Sequence, residues 1–134
     1  MNTKLLMTIS SLVLGLIGIF ALFAPDILLA TLDVPSANSL YILIQLIGAL
    51  YFSIAMMNWT AKDSIIGGIY ARPISLGNFA HFFSGTLLLA KYMLSNTFNL
   101  SILLMLVGYT IFAALFYWLI FRHTGIVVDK NAQQ

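Results

Sequence analysis

The sequence has no cysteine and no glutamate, and only 7% of its 134 residues are charged. Without cysteine, disulfide bonds, thiolate metal ligands and thiol–disulfide chemistry are excluded. The low charge argues against a soluble domain, because such a domain has roughly 25% charged residues on average. The formal net charge is +2 without a basic stripe, so we predict no nucleic-acid partner.

Catalytic and metal-binding sets are also missing. The two histidines, His81 and His123, stand in a chain with four aspartates and neither cysteine nor glutamate, which does not supply a usual zinc site. We find no nucleophile–histidine–acid set and no glycine loop for phosphate. We therefore predict no metal, no cofactor and no catalytic residue. This favours a non-enzymatic role over an enzyme.

Hydrophobic residues make up 61% of the chain and are concentrated in four runs. Each run has about the 20 residues that a helix needs to cross a hydrocarbon core of about 30 Å. The runs are continuous rather than alternating, which favours helices over strands. We predict one all-α domain over 1–134, an antiparallel bundle of four transmembrane helices in a lipid bilayer. The spans are Leu5–Phe23, Leu40–Trp59, Leu76–Leu94 and Leu100–Phe121.

The connection 24–39 predicts a further, short helix. Pro25 suits a first helical turn, where a missing N–H costs nothing, and the apolar stretch Ile27–Leu32 follows it. We expect this helix to lie at the membrane interface after the first span. The first run is too long for the apolar core of a signal peptide, so we expect it to be retained. Residues 124–134 form a polar tail.

Lysine and arginine in the short loops predict the orientation, because they are enriched on the cytoplasmic side. In a four-span model five of the six fall on one side, and both loops of the other side contain none. Both termini are therefore predicted to be cytoplasmic. The five residues are Lys4, Lys62, Arg72, Arg122 and Lys130.

Small residues predict where helices touch, because they allow close backbone approach in lipid. Thr8, Ser11, Gly15 and Gly18 form one stripe on the first helix. This stripe is expected to pack inside a monomeric bundle, and the alternative is a homodimer interface at Ser11–Gly18.

The third run carries the most polar residues. Ionisable groups at membrane depth usually face a bundle interior or a cavity, which makes His81 the centre of a candidate site. The alternative is a neutral histidine that hydrogen-bonds across helices. The predicted pocket, open to the cytoplasmic leaflet with Arg72 at its mouth, comprises His81, Asn78, Ser84, Arg72, Ser53 and Tyr117.

Three further polar positions are interpreted separately. Gln45 and Lys91 lie at similar depth near the outer ends of their helices and form a predicted polar pair. Lys91 has the alternatives of extending to the outer interface or pairing with Asp26 or Asp33. The Asn58-Trp59 dipeptide is interpreted as a marker of the cytoplasmic interface.

Several short motifs resemble the DoxX-like group of small bacterial four-helix membrane proteins. This resemblance implies a bacterial inner-membrane location and a membrane subunit of a quinone-linked oxidoreductase, with no residue carried over as catalytic. The segment Asn78–Gly85 is similar to the histidine-bearing third helix of sterol-biosynthesis scaffold proteins, which implies a scaffolding role. The DoxX-like motifs are Phe23-Ala24-Pro25-Asp26, Leu32-Asp33-Val34-Pro35, Gln45-Leu46-Ile47-Gly48-Ala49 and Asn58-Trp59-Thr60-Ala61-Lys62.

Three functional hypotheses remain open. The first is an accessory or scaffold subunit that binds a membrane-protein partner or a lipophilic small molecule. The second is a small transporter or channel that acts as an oligomer through the face bearing His81, Ser84 and Lys91. The third is a membrane enzyme acting on a lipid or quinone with His81 as acid or base.

Overall fold

The computed structural model describes residues 2–31, 34–35, 37–63, 72–96 and 98–122. Within these ranges the chain forms helices and no strand, which confirms the all-α prediction. The predicted tail 124–134 lies outside the described residues, as do Asp33, His123 and Lys130. In chain order the helices are α1 Thr3–Phe23, α2 Pro25–Thr31, α3 Asn38–Ala61, α4 Arg72–Ser95 and α5 Leu100–Arg122.

Polar residues next to the apolar runs set the helix ends. The side chain of Asn2 accepts a hydrogen bond from the Leu5 amide at 3.2 Å, and this cap starts α1. The Asn99 side chain accepts from the Ser101 amide at 2.8 Å and begins α5 in the same way. Each long helix therefore contains its predicted apolar run, and the short helix α2 begins at Pro25 as expected.

Three of the described helices are long and apolar enough to cross a membrane, namely α1, α3 and the Leu100–Phe121 part of α5. Their outward surfaces are covered with large apolar side chains, which is the reverse of a water-soluble protein. Helix α4 is of similar length but less apolar, because Asn78, His81 and Lys91 interrupt it. The structure thus supports three candidate spans directly.

The long helices associate as two tight pairs, and the first consists of α1 and α3. These helices run antiparallel, with Ser11 opposite Ala55 and Gln45 opposite Leu22. Gly18 faces Gly48 so closely that the two backbones touch. Ser11 and Gly18 of the small stripe therefore pack against α3 within the monomer, while Ser11 and Gly15 also line a groove on the outer side of this pair.

The second pair consists of α4 and α5, also antiparallel. The ring of Tyr109 lies directly over Gly85, where no side chain occupies the space. Phe82 stacks on Phe112 and Phe116, with ring centroids 4.7 and 5.8 Å apart. Side chains of both pairs then meet in one core, including Met7, Leu14, Phe82, Phe116 and Leu119.

One end of the bundle, called the basic end below, carries Lys4, Lys62 and Arg72. The Lys4 ammonium lies 2.6 Å from the Asp63 carboxylate and lowers the pKa of this carboxyl. The Lys62 ammonium lies over the Trp59 ring, 3.1 Å from its centroid. The Lys4–Asp63 pair is exposed, so it contributes little to the stability of the fold.

Gly18 and Gly15 provide a matched test of the backbone contact. A Cβ at Gly18 would lie 2.7 Å from the Phe52 nitrogen, whereas one at Gly15 would make an ordinary 3.5 Å contact with the Ala55 Cβ. We expect Gly18→Ala to lower the free energy of unfolding by about 1–3 kcal/mol, since backbone must move. Gly15→Ala should leave it unchanged or slightly higher. Thermal unfolding in detergent measures both, and equal stability of the two variants would contradict this account.

Candidate functional site

A closed hydrogen-bond network joins the two helix pairs near the basic end. Asn58 of α3 and Asn78 of α4 are both 0% exposed and exchange two amide hydrogen bonds. The Asn58 Nδ2 donates to the Asn78 Oδ1 at 2.8 Å, and the Asn78 Nδ2 donates to the Asn58 Oδ1 at 2.7 Å. The network therefore connects the two pairs through a reciprocal amide contact.

Every donor of this network has an acceptor. The second hydrogen of the Asn58 amide is directed at the Ser10 Oγ at 3.1 Å, and that of Asn78 at the Ile74 carbonyl at 2.9 Å. The Ser10 hydroxyl donates to the Met7 carbonyl at 3.0 Å. Because unsatisfied polar groups are costly in an apolar interior, this closure keeps three polar side chains buried without penalty.

A second polar layer lies farther from the basic end and consists of Tyr51, His81 and Tyr109. The hydroxyls of Tyr51 and Tyr109 are hydrogen-bonded to each other across α3 and α5. The Tyr109 hydroxyl also lies 3.5 Å from the His81 Nε2. The His81 ring is edge-on to Tyr51, with centroids 5.0 Å apart, and it also contacts Phe82.

The two layers include two of the six residues of the predicted pocket, Asn78 and His81. Ser53 and Ser84 are exposed, and their hydroxyls donate to carbonyls of their own helices, Ala49 at 2.8 Å and Ala80 at 2.6 Å. Intrahelical bonding of this kind is common for serine and removes the need for a partner across the bundle.

The other two pocket residues also lie outside the polar layers. Tyr117 is exposed and packs its ring against Phe79 and Phe121. Arg72 is exposed at the start of α4. The sequence placed Tyr117 level with His81, but Tyr109 is the α5 tyrosine that reaches this histidine.

The predicted outer pair is not brought together. The Gln45 Nε2 donates at 3.1 Å to the carbonyl of Leu22, one of the last carbonyls of α1 that the helix leaves without a partner. Lys91 lies on the exposed surface of α4 beside Tyr92 and Ser95. Each residue therefore has its own surroundings, and the contact between them was a wrong prediction.

Four residues of the polar layers were missed. Asn58 was interpreted only as a marker of the cytoplasmic interface, whereas its side chain is buried between the helices near the basic end. A signal was present: Tyr51 and Asn58 are seven residues apart on α3, and seven residues are close to two helical turns. They share a face with Gly48 and Ala55, which the backbone contact with α1 turns inward. The missed residues are Ser10, Tyr51, Asn58 and Tyr109.

The chemistry available in the two layers is hydrogen bonding. Among the described residues there is no group of three or more histidine, cysteine or acidic side chains that could hold a metal ion. The second layer joins one imidazole to two phenols, and each of these groups can donate or accept a hydrogen bond. The first layer holds only neutral amides and a hydroxyl.

Comparison with family models, with curated proteins and with solved structures finds no match for this chain. The DoxX-like resemblance therefore stays a prediction based on the motifs alone.

The amide pair can be tested by a double-mutant cycle. Asn58→Leu or Asn78→Leu alone leaves the other amide without its reciprocal hydrogen bonds in an apolar core. Each single variant should therefore lower the free energy of unfolding by about 1–2 kcal/mol. The double variant replaces both partners with apolar groups of similar size and should lose less than the sum.

Unfolding measured in detergent or bicelles gives the coupling energy, and Ser53→Ala serves as the control for an exposed intrahelical bond. Additive losses in the two asparagine variants would contradict the reciprocal contact.

Proposed function

We propose that all four long helices cross the bilayer. Helix α4 has 24 residues and is therefore about 36 Å long, enough for a hydrocarbon core of about 30 Å. Two polar residues of α4 are compatible with a membrane span because of where they lie. Asn78 is hydrogen-bonded to Asn58 in the bundle interior, and His81 is half-buried against Tyr51 and Tyr109. Helix α4 also runs antiparallel to both α3 and α5, as alternating spans require. Helix α2 then lies at the membrane interface.

The basic end is proposed to face the cytoplasm. Lys4, Lys62 and Arg72 lie there, with Arg122 at the end of α5, which favours the cytoplasmic side by the positive-inside rule. A bacterial inner membrane is the location that the DoxX-like motifs imply.

Single cysteines test this topology, because the chain has none of its own. Asp63→Cys lies at the basic end, and Phe98→Cys lies in the turn between α4 and α5, where the native side chain is 70% exposed. A membrane-impermeant maleimide should label the two from opposite sides, with Asp63→Cys accessible from the cytoplasm. Labelling of both from one side would show that α4 does not cross.

We propose that the protein is a small accessory subunit that binds a transmembrane helix of a partner membrane protein. This proposal rests on how polar and apolar side chains are distributed over the protein. The polar side chains of the interior bond to each other, and an apolar groove between α1 and α3 opens toward the membrane. Recognition through this groove needs no polar site.

The groove, of about 330 Å³, suits a helix better than a polar solute. Its base consists of the small residues Ser11, Gly15 and Ala55, which permit close backbone approach. Large apolar side chains form its walls, and these project into the bilayer: Leu12, Leu16, Ile19, Phe52, Met56 and Trp59. The motif resemblance implies an oxidoreductase assembly as the partner, and a lipophilic small molecule is the alternative occupant.

Photo-crosslinking tests the groove with a matched control. A photoreactive residue at Leu16 should give one discrete protein adduct in native membranes. Met56→Trp fills the groove and should abolish this adduct, whereas Met57→Trp, at the adjacent exposed position outside it, should leave it intact.

An adduct of lipid size alone would indicate the lipophilic-molecule alternative. Equal loss in both tryptophan variants would contradict recognition through the groove.

A further inference from the structure

The end of the bundle opposite the basic end carries a second kind of groove. It has a volume of about 220 Å³ and lies along the last turns of α4. The lining of this groove is mostly apolar. Leu88 lies one turn nearer the bundle centre, and Lys91, Tyr92, Ser95 and Asn96 lie toward the end of the helix. The residues that carry polar groups are therefore all at the outer end of a mainly apolar groove.

Lys91 differs from the described lysines of the basic end. The Lys4 ammonium is paired with Asp63, and the Lys62 ammonium lies over the Trp59 ring. In the described part of the chain, Lys91 is exposed and its ammonium has no carboxylate within ion-pair distance. An uncompensated positive charge beside hydroxyl and amide groups complements an anion that accepts hydrogen bonds.

The height of Lys91 along α4 indicates where this anion would lie. Lys91 is 19 residues after Arg72, which corresponds to about 28 Å along the helix. This length is close to the thickness of the hydrocarbon core, about 30 Å. If α4 crosses the bilayer as proposed above, an arginine and a lysine mark its two head-group levels.

We propose that this groove binds the head group of an anionic phospholipid in the leaflet opposite the basic end. The phosphate accepts hydrogen bonds from the Lys91 ammonium and the Ser95 hydroxyl, and one acyl chain runs down over Leu88. The Asn96 amide uses one hydrogen on the Tyr92 carbonyl at 2.9 Å, which leaves the second for the ligand. Free phosphate shares the polar chemistry but not the contact with Leu88.

The experiment measures local lipid enrichment. Leu94 is 89% exposed and is not part of the groove, so Leu94→Cys provides a unique attachment site for a fluorophore. The labelled protein is reconstituted in phosphatidylcholine bilayers with a small fraction of chain-spin-labelled phosphatidylglycerol or phosphatidylcholine. We expect the anionic quencher to be enriched about fivefold over the zwitterionic one, the effect of one basic residue near a membrane surface.

The variants locate this effect. Lys91→Gln should bring the ratio to about one, Lys91→Arg should preserve it, and Arg72→Gln, which removes an exposed cation at the other end of the same helix, should leave it unchanged. An unchanged ratio in Lys91→Gln would overturn the proposal. Loss of enrichment with millimolar inorganic phosphate at constant ionic strength would overturn the lipid assignment and indicate a free-anion site.

Failure of the proposed topology is detected separately. The Phe98→Cys labelling described above shows whether the end of α4 reaches the opposite leaflet. If it does and Lys91→Gln has no effect, only the lipid proposal fails.

Discussion

The reciprocal amide contact between Asn58 and Asn78 is the interaction on which the arrangement of this bundle depends. Each tight pair is held by close approach along its own seam, and neither seam determines how the pairs are placed relative to each other. Lipid offers little hydrophobic drive for helix association, so packing and directional bonds decide it. Two amides that satisfy each other at 2.7 and 2.8 Å fix the rotation of α3 and α4 and the height of one against the other. The second polar layer then follows, because the same faces carry Tyr51 and His81.

The two tight pairs achieve close helix packing with different residues. In α1 and α3, glycine meets glycine, and backbone atoms touch at Gly18 and Gly48. In α4 and α5, a glycine accommodates a ring, because Tyr109 fills the space over Gly85. This ring position directs the Tyr109 hydroxyl toward Tyr51 and His81, so a small residue on α4 determines which tyrosine of α5 joins the polar layer. Packing within one pair thus sets the hydrogen bonding between pairs.

The sequence predicts the helices well and the polar core poorly, and the reason is physical. Apolar runs between polar flanks define α1 to α5, and Gly18 of the small stripe lies in a helix contact, although the sequence did not identify α3 as the neighbour. Helix periodicity fixes which residues share a face but not which face of the neighbour they meet. Depth counting therefore paired His81 with Tyr117 instead of Tyr109. Asn58 was assigned to an interface by its proximity to Trp59, although its spacing from Tyr51 placed it on the inner face.

The low hydropathy of α4 is best explained by this core. A helix that supplies Asn78 and His81 to the polar layers must be less apolar than its neighbours, yet once the bundle forms it does not present these groups fully to lipid. The mean hydropathy of a helix treats every side chain as if it were exposed to the surrounding lipid. In this bundle, however, the Asn78 side chain contacts Asn58 in the interior. An isolated α4 would therefore enter a bilayer less readily than α5. Only four residues separate the end of α4 at Ser95 from the start of α5 at Leu100, and the two helices are packed together. Insertion of the two as a hairpin, with α3 already present to satisfy the amide, would allow α4 to cross as proposed, although hydropathy alone does not identify it as a span.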